Sequence, residues 1–227
     1  MDYALAIRRN RDQLRQIVLS LFTFAKMRVG GSLFTLPRST FVAIMLVLRP
    51  AESAVRRLIV IVAHGLALKA RTPRPFVFLG HRPEDPDSAM PIAFGRSRAF
   101  KLFDPLKTFD PESVWDADRP AWESGYDLAR AAAAFETADT QLDATRLGLR
   151  LNALIRALDN LPRQARRLLR WQSRRDAALK ASRPVRLSPI RPGLPPGWRA
   201  RAIHDIDPVL RECHGLANDL LNAPDTS

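Results

Sequence analysis

The stretch PRQARRLLRWQSRR (residues 162–175) decides how this chain reads. At about 100° per residue, Arg163, Arg166, Arg167, Arg170 and Arg174 fall on one arc of a helix, while Ala165, Leu168, Leu169, Gln172 and Leu179 point the other way. The spacing predicts a helix to about Ala181 with one face that packs and one that carries charge. Trp171 sits at the edge of the arginine stripe, where it can half-bury as a boundary residue or anchor an interface.

Working outward, residues 125–159 are also helical in pattern, with Leu128, Ala132, Phe135 and Leu142, then Leu147, Leu151, Leu154 and Leu158. The spacing drifts between 142 and 147, which argues against a strict coiled coil. Pro162 interrupts the pattern after Asp159 and Asn160, so an antiparallel pair or a sharply kinked helix both satisfy residues 125–181. Beyond it, RPVRLSPIRPGLPPGWRAR (residues 183–201) predicts a basic, mostly extended linker over 182–206. Residues 207–227 read as a short docking helix and tail, with Asp207 as cap and Pro208 at its first position. Its apolar face of Val209, Leu210, Cys213, Leu216 and Leu220 requires something to dock on.

Toward the N-terminus, residues 3–27 carry Ile7, Leu14, Ile17, Val18, Leu21, Phe22 and Ala25 at three-and-four spacing, and Gly30 and Gly31 are expected to stop that helix. A second helix is expected through FVAIMLVL (residues 41–48), ending at Arg49 because Pro50 cannot continue it. Pro50 then opens a third helix to about Ala70, in which Glu52 can meet Arg56 one turn later. Together residues 1–70 predict an N-terminal helical unit. Eight prolines between 71 and 120 break every candidate element, so residues 71–124 read as a proline-rich connector with short extended pieces at 76–79 and 99–103. The triplet FDP occurs twice there, and each copy could open a helical turn. Phe103 and Phe109 are expected to pack on the protein's own helices or to dock a protein partner. The fold class is therefore mainly α.

Charge is laid out in blocks. Residues 1–74 hold 13 basic and 3 acidic side chains, residues 75–145 hold 7 and 13, and residues 146–211 hold 16 and 4. Two basic blocks bracket an acidic one within a net charge of +13. Such blocks bind phosphate polymers or anionic lipid, or they pair within the chain. Of the 36 basic residues only 5 are Lys, a ratio that GC-rich codon usage accounts for in the main; it does not account for arginines gathered on one helical face.

Signatures of known chemistry are missing from the sequence: there is no GxGxxG, Walker loop, GxSxG or HExxH, and no cofactor is implied. His64, His81, His204 and His214 are dispersed, with His64 expected in the core. His81, Glu84, Asp85 and Asp87 are read as a solvated acidic loop rather than a cation site. Cys213, the only cysteine, excludes an intrachain disulfide and is expected to be buried beside a surface His214. The N-terminal arginines followed by IVLSLFTFA imitate a signal peptide, but Asp2, Asp12 and the lack of a small-residue cleavage site argue against one.

The sequence thus places an anion-binding or nucleic-acid-binding surface on Arg163, Arg166, Arg167, Arg170, Trp171 and Arg174, extended along the linker by Arg191, Trp198, Arg199 and Arg201. Nucleic acid is the favoured partner in a cytoplasmic protein. The alternatives are an anionic membrane surface met by the apolar N-terminal helices and their arginines, and a scaffold that docks proteins through the middle segment.

Overall fold

The computed structural model describes residues 2–66, 99–105 and 141–222, and the chain is mainly helical. The helices are α1 (Tyr3–Phe24), α2 (Arg38–His64), α3 (Thr145–Asp159), α4 (Leu161–Lys180) and α5 (Ile206–Asn222). Two three-residue strands, β1 (Thr35–Pro37) and β2 (Gln141–Asp143), pair antiparallel with Leu36 opposite Leu142.

Helix α1 begins at Asp2, whose carboxylate accepts from the Ala4 and Leu5 amides at 3.0 and 3.1 Å. It buries Leu14, Val18, Leu21 and Phe22, the stripe that the spacing predicts. The helix ends earlier than expected and for a different reason. Lys26 takes a left-handed conformation (φ 51°) and the Met27 amide donates back to the Phe22 carbonyl at 2.9 Å, which turns Met27 into the core. Gly30 and Gly31 instead form a loop pinned to α3. The Asn152 side chain accepts from the Gly30 amide at 2.7 Å and donates to the Gly31 carbonyl at 2.9 Å.

Helix α2 is the centre of the molecule, with α1, α3, α4 and α5 all packed on it. From Leu48 to Ala63 it is buried on nearly every side, the condition for a helix that is apolar all round. The expected break at Pro50 does not occur. Proline removes one helical donor, and the orphaned acceptor is the Leu46 carbonyl four residues earlier. That carbonyl accepts from the Arg199 guanidinium at 2.6 Å, and Gly197 closes directly over the Pro50 ring, so the helix runs through.

Asn160 separates α3 from α4 with a single non-helical residue, and its side chain accepts from the Arg163 amide at 3.1 Å, beside Pro162 in the first turn. The pair is not packed antiparallel: the helical run is broken at Asn160 alone. The two helices touch each other little, α3 lying chiefly on α1 and α4 on α2. Residues 182–206 contain no helix or strand before α5 begins at Ile206, but they are not a free linker. Ile190 and Pro195 are buried, and the Pro196 carbonyl accepts from the Ser53 hydroxyl at 2.8 Å. Asp207 lies inside the first turn of α5 and faces backward, accepting from the Ile203 and His204 amides and from Arg199.

One apolar cluster runs through both ends of the chain, from Leu14 and Leu58 to Leu154, Leu168 and Leu210. Cys213 is buried within it, and burial pushes its thiol pKa upward. His64, expected in the core, is the exposed last residue of α2. Residues 99–103 form no strand. The expected extended piece at 76–79, the acidic loop at 81–87, the second FDP copy with Phe109, and the helical pattern at 125–140 lie outside the described residues.

Gly197 and Gly193 both hold positive φ, 82° and 75°. A Cβ on Gly197 would stand 2.7 Å from the Pro50 ring, whereas one on Gly193 would meet nothing within 4 Å. Gly193→Ala is therefore expected to cost about 1 kcal/mol, the backbone term alone. Gly197→Ala should cost at least about 2 kcal/mol more, because it also lifts the segment off α2. Urea denaturation of both variants checks the difference.

Candidate anion-binding surface

The rotation of α4 is fixed by its buried residues. Leu161, Ala165 and Leu168 enter the core, which leaves Arg163, Arg166, Arg170 and Arg174 exposed on the opposite side. None of these four guanidiniums has a carboxylate within ion-pair distance among the described residues; Arg174 donates only to the Arg170 carbonyl, at 3.2 Å. Arg167 leaves the row. It is half-buried, donates to Gln164 and to the Phe100 carbonyl, and has its pKa lowered by desolvation and then by the neighbouring Arg163 charge.

Trp171 is a boundary residue. Its ring meets Phe103 edge-on at 4.9 Å between centroids and lies under the Arg175 guanidinium, which also pairs with Asp176. Phe103, packed on α4 through Trp171, also carries the Arg186 guanidinium 5.2 Å from its ring centroid.

The linker residues expected to extend the surface are mostly engaged inside the molecule. Arg199 joins Asp207 to the Leu46 carbonyl, and Trp198 packs edge-on to His214 with Arg211 over its face. The Arg191 amide donates to Asp104 and its side chain to the Leu194 carbonyl. Arg201 is exposed, on a turn bonded to α2 and α5 rather than to α4. Of the residues named from the sequence, the four that lie exposed side by side are those on the outer face of α4.

A second charged cluster lies at the centre, and the sequence reading missed its key residue. Arg57 is fully buried, and Asp104 is 1% exposed. Asp104 accepts from Arg57 at 3.0 Å and from Arg56 at 3.2 Å, one guanidinium on each oxygen, and takes a third bond from the Arg191 amide. Arg56 also meets Glu52, the pairing expected one turn apart, and Arg150 grips the same Glu52 with two nitrogens at 2.9 and 3.0 Å. The FDP triplet containing Asp104 reads locally as a helix opening. The signal pointing elsewhere is Arg57 itself, which shares a helical face with Ala54 and Ile61 and so requires a buried counter-charge.

Arg57 also fixes a histidine. Its Nε donates to His214 Nδ1 at 3.3 Å, which requires that nitrogen to be unprotonated, while His214 Nε2 lies 3.2 Å from the Asn218 amide. Burial and then the Arg57 charge hold the His214 pKa below its ordinary 6.5. Burial and then Arg199 do the same for His204, whose Nε2 is buried without a hydrogen-bond partner. Among the described residues no three His, Cys, Asp or Glu side chains gather as a metal site, and no helix is long and apolar enough to cross a membrane.

Removing the Asp104 charge would leave the fully buried Arg57 without a carboxylate partner and Arg56 with Glu52 alone. Asp104→Asn is expected to lower unfolding free energy by about 3–5 kcal/mol in urea titrations. Histidines held neutral in the fold contribute stability that is complete above the unfolded pKa of 6.5 and is lost as pH falls below it, because the unfolded chain binds the proton more tightly. Unfolding free energy should therefore fall between pH 7.5 and 5.5, and the fall should be smaller in His214→Gln. Comparison with protein-family models, with curated proteins and with solved structures finds no match.

Proposed function

We propose that this protein binds nucleic acid through the outer face of α4, with Arg163, Arg166, Arg170 and Arg174 contacting phosphates. The observation that carries the proposal is a contrast in how arginines are used. Arg9, Arg11, Arg15, Arg56, Arg57, Arg150, Arg175 and Arg199 are each paired with a carboxylate, while four exposed arginines in one row are not, among the described residues. An unpaired row of guanidiniums is an electrostatic footprint for a polyanion. At 1.5 Å per residue the row is about 16 Å long, enough to meet several phosphates of one strand.

Two further features favour nucleic acid over lipid. Most of the apolar faces of α1 and α2, which a peripheral membrane protein would insert, are occupied by the core, with Leu5 and Phe24 at the two ends of α1 left exposed. The α4 row is also flanked by a partly covered Trp171 rather than by a free apolar stripe. Contacts of this kind read backbone rather than bases, so the expected binding is sequence-tolerant.

The test is a fluorescence-anisotropy titration of duplex and single-stranded oligonucleotides from 50 to 300 mM salt. Four phosphate contacts predict a log–log slope of about −3.6 on duplex and about −2.8 on a single strand. Replacing all four arginines by Gln should weaken binding at least tenfold at low salt and flatten the slope, with the melting temperature little changed because the side chains are exposed. Unchanged binding by that variant, or none by the native chain at 50 mM salt, would refute the proposal.

A further inference from the structure

A cavity of about 510 Å³ opens between α2, α3 and the segment 99–105, with no arginine of the α4 row in its lining. Its volume is that of a small-molecule pocket. Part of its lining is apolar and largely aromatic, made by Phe41, Phe100, Phe103 and Leu147. The rest is cationic, with Arg56, Lys101, Arg146 and Arg150 and a single lining carboxylate, Glu52.

The charges in that lining do not cancel. Arg56 and Arg150 share Glu52, and Asp104, the other partner of Arg56, is buried and does not line the cavity. Lys101 and Arg146 are exposed at the cavity and form no ion pair among the described residues, the nearby Asp143 carboxylate acting on Arg146 only through its charge. A neighbouring cleft of about 330 Å³, lined by Arg49 as well as by Glu52, Arg56 and Arg150, adds one more cation at the rim. The Glu52 pairing also fixes the planes of Arg56 and Arg150, so the order needed to receive an anion is already present. Phe100 is held in the same way, with the Arg56 guanidinium 5.8 Å from its ring centroid.

From this mixed aromatic and cationic lining we infer that the cavity binds an amphipathic anion, a carboxylate or phosphate monoester carried on an aromatic or aliphatic body. The body lies on Phe41, Phe100 and Phe103, and the head group meets Arg146 and Lys101, with Arg150 beside them. Glu52 repels a second anion and restricts the head group to that end. The site is independent of the α4 row and stands whether or not the protein binds nucleic acid.

Calorimetric titration of the full-length protein with octyl phosphate, octanoate, octanol and inorganic phosphate tests the inference. Octyl phosphate or octanoate should bind saturably at one site, and whichever is tighter identifies the head group. Octanol and inorganic phosphate should each bind at least tenfold more weakly, since each offers only half of the recognition. Charge reversal at the exposed pair, Arg146→Glu with Lys101→Glu, should weaken the alkyl anion at least tenfold, and Arg163→Glu should leave it unchanged. Octanol binding as tightly as the alkyl anions, an unaffected charge-reversed variant with a native melting curve, or no saturable binding at millimolar ligand would overturn it. Displacement of anilinonaphthalene sulfonate by octyl phosphate gives a second readout in the native chain, expected at the same concentrations.

Discussion

The Asp104 carboxylate, shared between Arg56 and Arg57 inside the core, is the contact on which the rest of the molecule turns. Helix α2 can be buried all round only if its two guanidiniums are neutralised where they lie. Asp104 does this from outside any regular element, held by the Arg186 guanidinium on its carbonyl, by the Pro189 carbonyl on its amide, and by the Arg191 amide on its carboxylate. A segment with no helix or strand is thereby locked against α2. Phe100 and Phe103, aromatic residues of the cavity lining, ride on that same segment.

This arrangement divides the basic residues into two populations. Those turned inward are consumed by structure: Arg57 orders His214, Arg199 completes α2, and Arg150 braces Glu52. Those turned outward on α4 are left to solvent. The strong positive charge of the chain is therefore a poor guide to where a partner would touch it, since many of its arginines are internal fasteners. Geometry discriminates between the two uses where composition cannot.

The helical class, the apolar stripe of α1, the stop at Asn160 and Pro162, and the outward row on α4 were legible because each depends on spacing within one element. The continuity of α2 was not, because the rule that proline ends a helix is local, and what relieves Pro50 comes from Arg199. Asp104 was misread for the same reason. Its partners lie 47 and 48 residues away, and nothing within FDP reveals them. The segment 182–206 looked like a linker from its prolines, yet Ile190 and Pro195 are buried and its arginines are bonded to its own carbonyls and to α2 and α5. Of the residues read from the sequence as one surface, Arg163, Arg166, Arg170 and Arg174 lie exposed together on α4 and Arg201 is exposed apart from them, while Arg167, Trp198 and Arg199 are engaged within the molecule.

The hydrogen bond from Arg199 to the Leu46 carbonyl spans 153 positions of chain. During synthesis α2 is complete long before Arg199 leaves the ribosome, so the nascent helix carries an open carbonyl and an uncovered Pro50 for most of translation. Long-range closures of this kind come late and slowly. The central helix therefore reaches its final state only when the C-terminal third arrives.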